Sequence, residues 1–188
     1  VSEHLDDQDL VVLLDDDGAP LGDAPRATVH HTSTPLHLAF SCYVFDRAGR
    51  VLLTRRALDK RSWPGVWTNS FCGHPRPDES PRAAVERRAR DELGLALAEL
   101  TCVLPDFRYR AVDAAGVVEN EVCPVWFARA ASPLDPDPAE VVDHAWVDVS
   151  DLGRAVRAAP WALSPWTVAQ VTELVDLLTP ASAERVAS

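Results

Sequence analysis

Apolar residues fall into short clusters separated by turn-forming residues, a pattern of several strands and a few helices. Leu10 to Leu14 reads as a first strand, closed by Asp15-Asp-Asp-Gly18 and Pro20. Leu38 to Phe45 and Val51 to Thr54 flank Asp46-Arg-Ala-Gly49, a Gly-containing connection suited to a hairpin. Ser80 fits an N-cap, Pro81 the first helical position and Gly94 a left-handed end, so residues 81–93 are predicted as one helix. Val103 to Val112 and Val117 to Ala128 read as two strands joined at Asp113-Ala-Ala-Gly116, and Ala145 to Val149 as a shorter one. Ser132 to Pro138 is a surface loop. Ser164-Pro165 repeats the cap-and-proline signal and opens a helix to about Leu178, with a short tail over 179–188. Strands broken by a central helix and closed by a second one predict a single mixed α/β domain with its core at about 10–178.

The length of 188 residues agrees with one domain, and 47% hydrophobic with 25% charged residues is the balance of an ordinary soluble fold. No apolar run is long enough to span a bilayer. The acidic start, Val1-Ser-Glu-His-Leu-Asp-Asp-Gln-Asp, lacks the basic region and apolar stretch of a secretory signal, so a cytoplasmic protein is expected. Eighteen Lys and Arg against 29 Asp and Glu give a net charge of −11, which argues against nucleic acid or an anionic membrane as partner. An anionic substrate must then meet a local basic cluster. Two stand out, Arg55, Arg56, Lys60 and Arg61 in a loop-like stretch, and Arg82, Arg87, Arg88 and Arg90 in the predicted helix. Cys42, Cys72, Cys102 and Cys123 form no CxxC pair and read as reduced thiols.

Glu119 and Glu121 lie two apart in an otherwise apolar strand, so both carboxylates share one face. Either a cation neutralises them or one takes a proton, unless the strand simply has one wet face. Thr68-Asn-Ser-Phe-Cys-Gly-His-Pro75 places Ser70, Cys72 and His74 on one side if extended. A cysteine so placed is a nucleophile, a proton-transfer thiol, a metal ligand or inert packing. His30, His37 and His74 stand near these motifs, whereas His4, His31 and His144 read as surface residues. Three imidazoles with the glutamate pair would suit manganese, zinc or iron, and less comfortably magnesium.

Gly73, five residues, Glu79, seven residues, Arg87, then Asp91-Glu92-Leu93-Gly94-Leu95 resembles the Nudix box, a loop-helix-loop that binds diphosphates through divalent metal. Arg88 fills a glutamate position of that box and Asp91 replaces another. Fewer carboxylates and an added cation weaken metal-assisted hydrolysis and favour direct capture of phosphate oxygens. Leu36-His-Leu-Ala-Phe-Ser41, Thr54-Arg-Arg-Ala57, Trp63-Pro-Gly-Val-Trp-Thr-Asn-Ser70, Cys72-Gly-His-Pro75, Phe107-Arg-Tyr-Arg110, Glu119-Asn-Glu-Val-Cys-Pro124 and Ser164-Pro-Trp166 together resemble type I isopentenyl diphosphate isomerase of the Nudix superfamily.

That resemblance implies a Nudix-type α/β/α sandwich and interconversion of isopentenyl and dimethylallyl diphosphate through a tertiary carbocation, in isoprenoid biosynthesis. It implies that Cys72 and Glu121 act from opposite faces of the substrate and that Tyr109 hydrogen-bonds to the acid. Glu121 is then the proton donor and Cys72, as thiolate, the base. His30, His37, His74, Glu119 and Glu121 match ligands of a catalytic metal, and Glu92 a ligand of magnesium carried with the diphosphate. Arg56, Lys60 and Arg88 match diphosphate contacts, Arg26 stands where relatives often carry lysine, and Trp166 matches the aromatic beside the isoprenoid. The expected partner is a small prenyl diphosphate, with no nucleic acid and no membrane. A monomer is expected, with a dimer left open. Rival readings are a Nudix hydrolase of a nucleotide or prenyl diphosphate and a catalytically silent binding domain.

Overall fold

The computed structural model describes residues 9–174, where the apolar pattern is realised with several changes of boundary. Strand β1 (Leu10–Leu14) pairs antiparallel with β2 (Pro20–Pro25), of which the sequence signals only Pro20, as part of a turn. Asp15 Oδ1 holds the connection by accepting the N–H groups of Asp17 and Ala19. A one-turn helix α1 (Arg26–Val29) precedes β3 (His37–Leu38) and β4 (Phe40–Phe45). The predicted strand from Leu38 to Phe45 is therefore parted at Ala39, and its two pieces belong to different sheets. β5 (Val51–Arg56) returns after the Asp46 turn, and the short β6 (Trp67–Thr68) and β7 (Phe71–Gly73) pair with β5 and β4.

Helix α2 spans Pro81–Leu93, the range its end signals predict. Ser80 Oγ accepts the Ala83 N–H at 3.2 Å, and Gly94 ends the helix at φ +59°. A Cβ on Gly94 would meet the Asp135 carbonyl oxygen at 2.6 Å, so close approach as well as backbone conformation requires glycine.

Prolines divide the next two predicted strands. β8 (Leu97–Leu104) ends at Pro105 and β9 (Arg108–Val112) begins beyond it, while β10 (Val118–Val122) and β11 (Val125–Ala130) are parted by Cys123-Pro124. Proline offers no N–H to a ladder, so these are the points where the chain changes sheet. The strand predicted at Ala145 to Val149 is β12 (Val141–Val147), and Val149 instead opens helix α3 (Val149–Ala158). After a 3-10 turn at Pro160–Ala162, α4 (Pro165–Glu173) starts at its predicted signal, with Ser164 Oγ accepting the Thr167 N–H. Its predicted extension to Leu178, the tail and His4 lie outside the described residues.

One sheet has the order β2-β1-β3-β10-β9 and the other β12-β5-β4-β11-β8. β3 runs parallel to β10 and β4 to β11, so two of the crossings between sheets, β3 to β4 and β10 to β11, run side by side. The Ala39 N–H donates to the Val122 carbonyl and the Ser41 N–H to the Pro124 carbonyl across that crossing. Every residue of β4 is buried. Its Phe40, Cys42 and Val44 pack with Val85, Ala89 and Leu93 of α2, whereas Tyr43 and Phe45 pack with Leu152 of α3 and Val171 of α4. A central strand with helices over both faces needs apolar residues on both, and the result is the expected α/β/α sandwich.

Candidate active site

β10 brings Glu119 and Glu121 to one face, as its period of two requires, and both are buried. In register, Glu121 sits opposite His37 of β3 on one side and Tyr109 of β9 on the other. His30 follows α1 and His74 follows β7, so four separate chain segments converge here. The ligand atoms of His30, His37, His74 and Glu121 all lie within 4.8 Å of one another. The three ring centroids form a near-equilateral triangle of 5.0, 5.3 and 5.1 Å. Glu119 completes the group, with Oε2 at 3.0 Å from His30 Nε2 and Oε1 accepting the Ser62 hydroxyl at 2.5 Å.

The donor chemistry fits a divalent metal. His37 Nδ1 is 2.9 Å from the Pro35 carbonyl oxygen, which only accepts, so Nδ1 carries the proton and Nε2 presents a lone pair to the site. His30 Nε2 and His37 Nε2 are buried without well-formed hydrogen bonds. Burial pulls the His30 imidazole down, but Glu119 and Glu121 outweigh it and lift the group to about 9. Burial, helped by the other two imidazoles, pulls His74 down to about 4 despite Glu121. Burial alone would raise Glu121, yet its contacts with the three histidines hold its carboxyl well below the usual range. The carboxylates that favour a positive charge on His30 would equally favour a bound cation.

β7, in the other sheet, supplies Cys72. Its Sγ lies 3.3 Å from Ser41 Oγ, its register partner in β4, and 3.2 Å from Asn69 Oδ1. Burial pushes the thiol up to about 12, with the Glu121 charge adding to it against the hydrogen bonds to Ser41 and Asn69. Burial thus favours the thiol over the thiolate that the resemblance implies for the base. Trp166, in the first turn of α4, donates its Nε1–H to Asn69 Oδ1 at 3.0 Å. Its ring packs edge-on to Trp63 at 5.4 Å and tilted against Tyr109 at 5.7 Å.

Cys72, Glu121, Tyr109 and Trp166 line a cleft of about 340 Å³, which suits a small ligand. It is also strongly cationic. Arg26, Arg56, Lys60, Arg61, Arg87 and Arg88 all line it, so both basic clusters contribute, whereas Arg55, Arg82 and Arg90 stay outside. Arg88 and Lys60 both donate to Glu140, Arg88 also donates to Glu92, and Arg88 Nε is buried without a partner. Arg56 donates to the Ser62 carbonyl and lies with Cζ 5.7 Å from the Trp166 ring, while Arg26 pairs with Asp9. Arg87 is bound to Glu79 through two 2.8 Å hydrogen bonds and braces the His74 carbonyl.

Every predicted site residue except the fully buried His37 lines the cleft, and His37 reaches the same cluster from behind. Ser70 does not, because its hydroxyl bridges the Val44 N–H and the Leu52 carbonyl within the sheet. Ser62, Asn69 and Glu140 were not singled out from the sequence. Asn69 and Ser62 lie inside or beside motifs already quoted, but their partners are distant in the chain.

A NUDIX domain profile matches residues 35–167. The chain is thus a Nudix-domain protein. A relative from Clavibacter michiganensis subsp. michiganensis (strain NCPPB 382) named isopentenyl-diphosphate Delta-isomerase is 65% identical over 163 residues, 87% of this chain and 84% of that protein. One of the same name from Frankia alni is 62% identical over 179 residues, 95% of this chain and 92% of that protein. Within the Nudix proteins the chain belongs to the isopentenyl-diphosphate Delta-isomerase family. Among solved structures, a Deinococcus radiodurans protein shares the fold at a TM-score of 0.66 and 16% identity, covering 87% of this chain and 98% of that one. A MutT NUDIX hydrolase from Burkholderia pseudomallei does so at 0.53 and 24%, covering 70% and 92%.

Proposed function

We infer that the chain interconverts isopentenyl and dimethylallyl diphosphate by adding a proton at one carbon and removing one at another. The observation that carries this reading is the convergence of Cys72, Glu121, Tyr109 and Trp166 on one cleft that arginine and lysine also line. Metal-assisted hydrolysis of a diphosphate has no step that calls for a thiol and an indole beside a carboxylate.

Cys72 and Glu121 project from strands of different sheets into the cleft, so a substrate between them meets one proton-transfer group on each side. One group gives a proton to the terminal alkene carbon, leaving a tertiary cation. The other takes a proton from the carbon next to the diphosphate-bearing methylene, and the double bond re-forms there. Each turnover leaves the two groups with exchanged protonation, which solvent resets. Tyr109 keeps its phenolic proton because burial raises it well above its ordinary value, so it serves as a donor beside Glu121. The Trp166 face stabilises the cation by roughly 0.5–2 kcal/mol. Arg56, Lys60 and Arg88, with Arg26 at the rim, hold the diphosphate as an anchor. His30, His37, His74, Glu119 and Glu121 would hold a manganese, zinc, iron or magnesium ion that offsets the carboxylates, and Glu92 a magnesium that shields the diphosphate.

All these residues come from one chain, so a monomer suffices and the partner is the small substrate. Among the described residues no helix is long and apolar enough to cross a membrane.

Turnover of isopentenyl diphosphate in deuterated water tests the reading, with product analysis by mass spectrometry and a phosphate assay on the same sample. Deuterium is expected in the newly formed methyl group with the diphosphate intact. Isomer free of deuterium would refute the proton route, and released phosphate without isomer would replace it with hydrolysis.

A further inference from the structure

We propose that Asn69 is the positioning residue that fixes the Cys72 thiol and the Trp166 ring relative to each other, through a single shared oxygen. The inference rests on the isomerase reading above and adds a residue that does not itself line the cleft.

Asn69 lies in the link between β6 and β7 and is fully buried. Its Nδ2 donates to the carbonyls of Cys42, at 3.1 Å, and Phe71, at 2.8 Å. Carbonyls only accept, so the amide has one permitted orientation and Oδ1 must face the other way. There it accepts the Trp166 Nε1–H at 3.0 Å and the Cys72 thiol at 3.2 Å. An indole N–H is a donor only, and a buried one left unpaired is costly, so the ring plane follows the oxygen. Thr68 Oγ1 also donates to Oδ1 at 2.8 Å, Thr167 Oγ1 approaches it at 3.5 Å, and the Asn69 N–H donates to Thr167 Oγ1 at 2.9 Å. The Ser164 N–H donates to the Trp67 carbonyl in the same seam, which docks the start of α4 on the β6–β7 link.

The sulfur on a strand of one sheet and the indole on α4 therefore share one rigid acceptor. In the reaction they serve neighbouring carbons, the one exchanging a proton and the one bearing the cation. A shift of the ring relative to the sulfur would spoil the chemistry while Lys60 and Arg88 stay held by Glu140 and Glu92, so most of the diphosphate capture should persist.

The test compares wild type with Asn69→Ala, first by thermal melting and metal content, then by kcat and by calorimetric affinity for two ligands with magnesium present. One ligand is inorganic diphosphate. The other is an alkyl diphosphate carrying a tertiary ammonium nitrogen where the carbocation would form. We expect kcat to fall about 100-fold, diphosphate affinity to stay within about threefold, and affinity for the ammonium ligand to weaken about tenfold. In a Trp166→Phe background the Asn69 change should cost the ammonium ligand nothing further, because the two act through one contact. Asn69→Ser, a smaller change whose hydroxyl is too short to reach both partners, gives the same comparison if the alanine variant does not fold. A kcat within about threefold of wild type, or equal loss for both ligands, overturns the proposal. Wild type that binds both ligands and forms no dimethylallyl product would instead overturn the isomerase reading beneath it.

Discussion

Glu121 stands directly opposite Tyr109 in the antiparallel pairing of β9 with β10, so carboxylate and phenol emerge side by side from one face. His37 occupies the same register row on the other side of Glu121. The row separates two tasks, since the imidazole belongs to the histidine and glutamate cluster and the phenol faces Trp166. Tyr109→Phe should therefore lower kcat about 100-fold with metal content per chain unchanged. Metal lost in parallel with activity would show the tyrosine to be a structural support of the cluster instead.

Cys72→Ser should bind inorganic diphosphate nearly as wild type does, yet lose almost all turnover. The serine hydroxyl is much less acidic than a thiol, even one that burial has pushed up to about 12. Retention of more than about a tenth of the wild-type rate, some 1.4 kcal/mol of barrier, would remove Cys72 from the proton path. Glu121→Gln should lose both turnover and metal, which distinguishes the two members of the pair.

Adding zinc or manganese to chelator-stripped protein should raise its melting temperature. At a free metal concentration of 100 times the dissociation constant the gain is about 2.7 kcal/mol, or roughly 5–10 °C for a domain of this size. His37→Ala should abolish most of that rise, because its Nε2 is already aimed into the cluster by the Pro35 carbonyl. An equal rise in wild type and variant would place the metal elsewhere.

Local signals made α2 readable to the residue, since Ser80, Pro81 and Gly94 act within one turn of each end. The divided strands were not readable from periodicity, because Pro105 and Cys123-Pro124 interrupt apolar runs that otherwise continue on both sides. β2 was hidden by Pro20, Gly22 and Pro25, residues that suit an edge strand as well as a turn. The shared face of Glu119 and Glu121 followed from spacing alone, and the three histidines could be grouped with them as a metal site by residue type, whereas Glu92 came only through family resemblance. Asn69 could be quoted within a motif but not given a task, since its bond to Trp166 spans 97 positions.

Glu79 of the box is a brace rather than a cleft group. Its two hydrogen bonds from Arg87 hold the carboxyl below its ordinary value of 4.5, against the raising effect of burial. A group depressed on folding stabilises the fold above its unfolded value and loses that contribution as pH falls through the lower, folded one. Glu79→Gln should cost about 1–3 kcal/mol at neutral pH. The gap between variant and wild type should close as pH drops below the ordinary carboxylate range. A gap independent of pH in denaturant titrations would assign the cost to packing.

Gly73 joins the box to the cleft through space rather than backbone conformation. A Cβ there would lie 2.7 Å from Arg88 Cγ and 2.8 Å from Phe40 Cζ, so one neighbour must move. Phe40 is locked in the core beneath α2 and packs edge-on to Phe71, whereas the Arg88 stem is flexible, so the arginine yields first. Gly73→Ala should then weaken inorganic diphosphate binding nearly as much as Arg88→Ala does, and add a stability loss of about 1–3 kcal/mol from the overpacked ring. In an Arg88→Ala background the alanine at 73 has one obstacle fewer, so both its penalties should shrink. Undiminished penalties in the double variant would mean that the Phe40 contact alone determines the glycine, and that the guanidinium is positioned by Glu92 and Glu140 without help from the bare backbone beneath it.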